Sequence, residues 1–253
     1  MKNLYIIGNW KMNKTIKDTQ SFFEMFIKDF NNKTKNHIVV CPSFISLPTA
    51  VECVGENNIE IGAQNVHHSE DGVWTGEIST AMLKDVGAQY VIIGHSSRRE
   101  DAGETNETIN KKIIACIDAG LTPILCVGES KKDKEMGRTY KVLKKQLVGA
   151  FDDVDTPSKV LIAYEPIWAI SDGKNPAVTP SIEEISAVSS GIRRVMKQLY
   201  EKEQLKGINV LYGGSVSAGN ANDIMSIKNI NGVLVGGASL SPEKFNAIIK
   251  AVD

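Results

Sequence analysis

The amino-acid sequence predicts an α/β protein, a closed (β/α)8 barrel formed as a single domain over residues 1–253. Two observations lead to this prediction. Short apolar runs rich in valine and isoleucine recur eight times, and each is continuously apolar, as strands buried on both faces are. Amphipathic segments with helical spacing lie between the runs, without a long linker or a break in composition. Eight βα units in about 250 residues fit one barrel.

The elements follow in chain order. The predicted strands span residues 4–8, 37–41, 59–64, 90–94, 123–127, 160–164, 209–212 and 232–235. Apolar residues share a helical face in three clear sets: Ile109, Ile113 and Ile117; Leu143, Leu147 and Ala150; and Ile182, Ile185, Val188, Ile192, Val195 and Leu199. Thr105 and Gly120 bracket the first set, and Thr179-Pro180 is expected to cap the last.

An open doubly wound sheet is the alternative architecture, because it has the same alternation of strands and helices. Its first strand would ideally lead into a Gly-x-Gly-x-x-Gly turn that binds a dinucleotide. Here Gly8 is followed by Asn9-Trp10-Lys11-Met12-Asn13. The sequence therefore argues against a dinucleotide site.

Composition and charge limit the possible partners. The 29 basic and 30 acidic residues are well mixed and leave a net charge of −1, so we expect neither a nucleic-acid nor a membrane partner. No signal-peptide pattern or membrane-spanning apolar segment is present, which predicts a cytoplasmic protein with a small substrate. The wide spacing of Cys41, Cys53, Cys116 and Cys126 predicts free buried thiols.

Polar and glycine residues follow several predicted strands. In a barrel the carboxyl ends of all strands converge on one face, and the residues there are Asn9, Lys11, His95, Ser96, Glu165, Gly213, Gly214, Ser215, Gly236 and Gly237. Pro166 lacks an amide proton and ends the sheet ladder directly after Glu165. A carboxylate beside an imidazole and a lysine suits proton abstraction next to a carbonyl group.

The glycine pairs after the last two strands indicate a phosphate site. Without Cβ atoms they let backbone amides approach a dianion closely, and these two loops are the usual phosphate position in barrels. A small phosphorylated substrate is therefore expected. Glycoside hydrolysis would need a second carboxylate, for which Glu129 is the candidate, and acyl transfer would need an elbow serine, which Gly94-His95-Ser96 does not provide.

Eight motifs in order along the chain resemble the triosephosphate isomerase family. They begin at Asn9, Ala63, Thr75, Val91, Cys126, Ala163, Tyr212 and Leu234, and the longest read Val-Ile-Ile-Gly-His-Ser and Leu-Val-Gly-Gly-Ala-Ser-Leu. The resemblance implies a TIM barrel that interconverts dihydroxyacetone phosphate and glyceraldehyde 3-phosphate. In that family a glutamate acts as the base and a neutral histidine as the electrophile.

The resemblance also implies roles for individual residues. Glu165 would move the proton between carbons 1 and 2, His95 would polarise the carbonyl, and Lys11 with Asn9 would stabilise the enediolate. The phosphate would be bound by backbone amides in a set comprising Ser171, Ser215, Gly214, Gly236 and Gly237. Ser96, Ser97, Cys126, Glu129 and Trp168 would support this machinery. No metal or organic cofactor is implied.

Two loops complete the family pattern. Residues 166–174 would form a lid over the phosphate, anchored by Trp168. Residues 65–78 resemble the dimer loop, with Thr75 reaching into the partner's active site, so the resemblance implies a homodimer. His67-His68 followed by Glu70-Asp71 could suggest a metal site, but a solvated loop tip is the preferred interpretation.

The sequence departs from the family pattern in three places. Ser97 replaces a glutamate that normally contacts the active-site lysine, and losing such a bond costs about 1.5–3 kcal/mol, or roughly 10-fold to 100-fold in rate. Ser171-Asp172-Gly173 replaces Gly-Thr-Gly in the lid, and Lys134 stands where an arginine commonly pairs with the glutamate that matches Glu129. We expect a slower isomerase, with two alternatives: a weakened homologue that binds sugar phosphates or protein partners, or an isomerase of another phosphorylated carbonyl compound.

Overall fold

The fold is a closed barrel of eight parallel strands in the order β1 to β8, with β8 pairing back onto β1. A computed structural model describes residues 3–170 and 179–253. The strands are β1 Tyr5–Asn9, β2 His37–Cys41, β3 Glu60–Ala63, β4 Tyr90–Ile93, β5 Thr122–Val127, β6 Leu161–Tyr164, β7 Asn209–Tyr212 and β8 Gly232–Val235. The predicted fold class is confirmed, and the strand ends differ from the predicted ones by one residue at most.

Helices surround the barrel. Within the described ranges they are α1 Ile16–Lys28, α2 Leu47–Val54, α3 Thr80–Asp85, α4 Ser96–Glu100, α5 Asn106–Asp118, α6 Lys131–Glu135, α7 Thr139–Ala150, α8 Ile182–Leu199, α9 Ala218–Ser226 and α10 Pro242–Lys250. Two helices, α4 and α6, are short extra turns directly after β4 and β5. They lie at the carboxyl face, where they can orient residues of the site.

The start of α8 corrects one prediction. Its N-cap is Ser181 and not Thr179, because the Ser181 hydroxyl accepts from the amide of Glu184 while the Glu184 carboxylate accepts from the amide of Ser181. This reciprocal pair is a capping box, and it satisfies two amides that a helix otherwise leaves free. Thr179 and Pro180 precede it.

Two apolar cores hold the barrel together. Inside it, residues at alternate strand positions form one cluster: Ile7, Val39, Cys41, Tyr90, Ile92, Ile124, Cys126, Leu161, Ala163, Leu211 and Leu234. A larger cluster fills the space between the strands and the helices. Since each strand is buried on both faces, its sequence is continuously apolar, which is why the strands could be located from sequence.

All four cysteines are free; Cys41, Cys116 and Cys126 are buried, whereas Cys53 is half-buried, contrary to the expectation for that thiol. In the described ranges, no helix combines the length and the apolar character needed to cross a membrane.

Candidate active site

The first strand places Asn9 and Lys11 at the carboxyl face. Asn9 is the last residue of β1 and its side-chain oxygen accepts from the amide of Lys11 at 3.0 Å. Lys11 has a φ of 53°, which is uncommon for a residue other than glycine. The Gln64 side-chain amide holds this conformation by donating to the carbonyls of Lys11 (2.8 Å) and Cys41 (3.0 Å). The side chains of Asn9 and Gln64, together with the backbone carbonyl of Cys41, thus hold the backbone of the lysine.

His95 follows β4 and caps the short helix α4. Its Nδ1 accepts from the backbone N–H of Ser97 at 3.3 Å and lies 2.9 Å from the Ser97 hydroxyl. Because a backbone N–H can only donate, Nδ1 carries no proton and the ring proton is on Nε2. The imidazole therefore presents a donor to the barrel axis.

Glu165 follows β6, and its amide donates to the carbonyl of Val127 at 2.8 Å, so the ladder ends here as expected. The carboxylate is buried, and its Oε1 lies 3.6 Å from His95 Nε2, beyond hydrogen-bond distance. In the part of the chain that the structure describes, His95 Nε2 and Glu165 Oε2 have no hydrogen-bond partner. Such unpaired buried polar atoms are costly, which marks the space between them as a place for a polar ligand.

Glycines make room for Glu165. A Cβ atom on Gly213 would lie 2.7 Å from Glu165 Cγ, and one on Gly128 would lie 1.8 Å from the Glu165 carbonyl oxygen. The Gln146 side chain fixes Gly128, because it accepts from the Gly128 amide and donates to its carbonyl. Close backbone packing therefore sets the position of the carboxylate.

A cavity of about 250 Å³ joins Asn9, Lys11 and Glu165 to the loops after β7 and β8, and His95 lies beside it without lining it. Its lining residues are Asn9, Lys11, Glu165, Ile170, Gly213, Gly214, Ser215, Val216, Leu234, Gly236, Gly237 and Ala238. A Cβ on Gly237 would meet nothing within 4 Å, so the backbone there is open to a bound group. Ser171, also predicted for phosphate binding, lies outside the described residues. So do Asp172 and Gly173, the other residues of the lid turn that differs from the family pattern.

Comparison with known proteins agrees with this geometry. A family model described as Triosephosphate isomerase matches residues 4–252. Curated relatives named triosephosphate isomerase include those of Alkaliphilus oremlandii, 46% identical over 98% of this chain and 99% of the relative, and Aquifex aeolicus, 46% identical over 96% and 97%. That of Endomicrobium trichonymphae is 42% identical over 99% of both.

The chain belongs to the triosephosphate isomerase family. The resemblance stated from the motifs is thereby confirmed.

Within this triosephosphate isomerase framework, a buried group of polar side chains supports the segment after Glu165. Glu129 accepts from the Tyr164 hydroxyl at 3.1 Å and from Trp168 Nε1 at 2.9 Å. Lys134 does not pair with Glu129, as the family pattern suggested, but with Glu184 at 2.8 Å. Its ammonium also lies over the Trp168 ring, 3.4 Å from the centroid, a cation–π contact that replaces the expected ion pair.

Cys126 and Ser96 lie near Glu165. Burial and the neighbouring Glu165 carboxylate raise the pKa of the Cys126 thiol, so this cysteine stays protonated. Ser96 is half-buried at the start of α4 and lines a small gap that Glu165 also lines.

The sequence did not single out Arg99. Its guanidinium donates to the carbonyls of Gly94 (2.7 Å) and Cys126 (3.0 Å) and so connects the ends of β4 and β5. The sequence signal that could have identified Arg99 is its position in the Gly-His-Ser-Ser-Arg-Arg motif, four residues after His95.

Thr75 lies outside this cavity. It is exposed in the loop between β3 and α3, beside Val73 and Trp74, and the described structure brings it into contact with none of the other predicted site residues.

Proposed function

We propose that this protein interconverts dihydroxyacetone phosphate and glyceraldehyde 3-phosphate, with Glu165 as the base and His95 as the carbonyl-polarising donor. The observation that carries the proposal is the pair of buried, unpartnered atoms, Glu165 Oε2 and His95 Nε2, beside the glycine-lined cavity. A substrate placed between them would accept from His95 Nε2–H through its carbonyl oxygen and present the neighbouring C–H, the proton to be removed, to the Glu165 carboxylate. The names of the relatives support this activity over a binding protein or another isomerase.

The proposed reaction needs only proton transfers. Glu165 removes a proton from carbon 1, the C–H electron pair forms the carbon 1–carbon 2 double bond, and the carbonyl electrons move onto oxygen. His95 Nε2–H and the Lys11 ammonium meet that negative charge, and Asn9 holds the lysine backbone through its side-chain oxygen. A proton then moves from oxygen 1 to oxygen 2, the electrons left on oxygen 1 form the carbonyl at carbon 1, and the electrons of the carbon–carbon double bond take the proton back from Glu165 at carbon 2. Burial of Glu165 and His95 keeps water from competing for these contacts.

The phosphate would occupy the loops after β7 and β8. Gly214, Ser215, Gly236 and Gly237 line the cavity there, and the ammonium of Lys11 supplies a positive charge at the same opening. Ser171 is proposed to complete this set from the lid.

The activity is tested by a coupled assay on both triose phosphates, with Glu165→Ala as the inactive reference. Exposed Glu201→Ala is a matched control for loss of a carboxylate away from the site. We expect wild type and Glu201→Ala to turn over both substrates alike. Wild-type turnover no higher than that of Glu165→Ala would refute the proposal.

We also propose a homodimer formed through the loops that follow the first three strands. Large apolar side chains are exposed there: Met12 and Val73 are each 96% exposed, and Trp74 is 52% exposed. An apolar surface of this kind is typical of a protein–protein interface. Thr75 lies in the same loop, so it is proposed to reach the partner's site.

Val73→Asp should weaken this dimer, because it places a charge in an apolar contact. Val148→Asp on α7 is the matched control, since Val148 is also an exposed valine but lies away from these loops. Sedimentation velocity should give a dimer for wild type and control and a monomer for Val73→Asp. A wild-type monomer would exclude the dimer. The cytoplasmic location stays a prediction.

A further inference from the structure

We propose that the Ser97 hydroxyl is a positioning group for His95: by donating to Nδ1, it keeps the ring proton on Nε2, the atom that faces Glu165. The inference rests on the isomerase function proposed above. It gives Ser97 a role of its own, where comparison of motifs suggested only the loss of a glutamate.

The geometry around His95 Nδ1 carries the proposal. This nitrogen lies 2.9 Å from Ser97 Oγ and 3.3 Å from the Ser97 backbone nitrogen. The backbone N–H can only donate, so Nδ1 is an acceptor and the hydroxyl must donate as well. The hydroxyl contact is the shorter of the two, which makes it the stronger restraint on the tautomer.

The consequence appears on the other side of the ring. His95 Nε2 is buried, has no hydrogen-bond partner among the described residues, and lies 3.6 Å from Glu165 Oε1. If Nδ1 carried the proton, Nε2 would be an acceptor facing a carboxylate and could not stabilise negative charge on a substrate oxygen. The tautomer therefore decides whether His95 can act as an electrophile.

A serine hydroxyl at this position can donate to Nδ1, whereas the ionised glutamate of the family pattern has no proton to donate. Ser97 is exposed on its outer side, so water partly competes for its hydroxyl. We therefore expect an effect within the range of one neutral hydrogen bond.

The test combines kinetics with the spectrum of the histidine side chains. In Ser97→Ala, kcat should fall about 2-fold to 12-fold, the range for one neutral hydrogen bond, with a smaller change in KM. The ¹⁵N signal of His95 Nδ1, assigned with His95→Gln, should shift away from its wild-type position in Ser97→Ala. Ser97→Thr keeps the hydroxyl and should rescue both readouts.

Ser226→Ala is the matched control, because this exposed serine also donates to a nearby oxygen, the carbonyl of Asp223, but lies in α9. A Ser97→Ala enzyme with wild-type kcat and an unchanged Nδ1 signal would overturn the inference, as would a wild-type spectrum with the proton on Nδ1. If wild type lacks isomerase activity altogether, the proposed function fails, and the kinetic assay shows this independently of the spectrum.

Discussion

The replacement Gly213→Ala tests whether close backbone packing positions Glu165, the proposed catalytic base. Gly213 follows β7, and its φ does not lie in the left-handed region, so alanine can adopt its backbone conformation. The new Cβ would lie 2.7 Å from Glu165 Cγ and 3.4 Å from Glu165 Oε1. Carbon atoms in contact are normally about 3.5–4.0 Å apart, so the Glu165 side chain must move by roughly 1 Å.

This displacement should lower kcat strongly in an enzyme that stays folded. A misplacement of about 1 Å can cost about 100-fold in rate, because the base no longer reaches the proton in the required geometry. Overpacking costs about 1–3 kcal/mol, which corresponds to a fall in Tm of roughly 2–12 °C for a chain of this size. We therefore expect a folded enzyme with kcat reduced about 100-fold and a smaller change in KM.

The measurements are steady-state kinetics in both directions and thermal unfolding followed by circular dichroism at one protein concentration. Gly219→Ala in α9 is the matched control, because the nearest atom to its added Cβ is Ser217 Oγ at 3.8 Å. Its kcat should stay at the wild-type value, and its stability should be unchanged or higher. A folded Gly213→Ala enzyme with kcat within about 3-fold of wild type would refute the argument about backbone packing.

Two predictions concern stability. Burial raises the pKa of the Glu104 carboxyl, but hydrogen bonds from Lys112 and Arg98 outweigh burial and hold that pKa below its usual 4.5. The ionised carboxylate therefore stabilises the folded protein above about pH 4.5, and this stabilisation is lost as the pH falls through the folded-state pKa. Glu104→Gln leaves buried Lys112 without its counter-charge, so it should lower the free energy of unfolding by about 3–5 kcal/mol at pH 7. Urea titrations at several pH values should also show that the free energy of unfolding depends less on acid pH than in wild type. A variant as stable as wild type at pH 7 would contradict this prediction. Ser181→Ala removes the capping box with Glu184 and should cost about 1 kcal/mol, or roughly 2–4 °C in Tm, and an unchanged Tm would show that this cap does not stabilise α8.

The start of α8 shows how far local sequence signals reach. Ser181 and Glu184 have the Ser-x-x-Glu spacing of a capping box, which was present in the sequence beside the competing Thr179-Pro180 pair. Both pairs suit a helix start, and the reciprocal hydrogen bonds between Ser181 and Glu184 place the start at Ser181. The sequence therefore predicted the helix, but it offered two local signals for the N-cap and only the structure shows which one is used.

Side-chain partners within the site were harder to predict than the site itself. Lys134 matched an arginine position by alignment of motifs, yet it pairs with Glu184 and covers Trp168. Ser97 was expected only to lack a contact with Lys11, yet it contacts His95 Nδ1. The spacing of residues along the chain predicts which strand end carries a residue. It does not predict which rotamer a side chain with two or more rotatable bonds adopts, and therefore which partner it reaches.

By itself, the sequence determined the barrel, the order of its strands and the face on which Asn9, Lys11, His95 and Glu165 meet. It could do so because strands buried on both faces must be apolar throughout, and because parallel strands bring their carboxyl ends to one side. Only the tertiary structure decided the 3.6 Å separation of Glu165 and His95 and the proton held at His95 Nε2. It also decided the close contacts of Gly128 and Gly213 that fix the position of Glu165. Those quantities depend on packing between residues far apart in the chain, and a misplacement of about 1 Å there can lower the rate of a reaction about 100-fold.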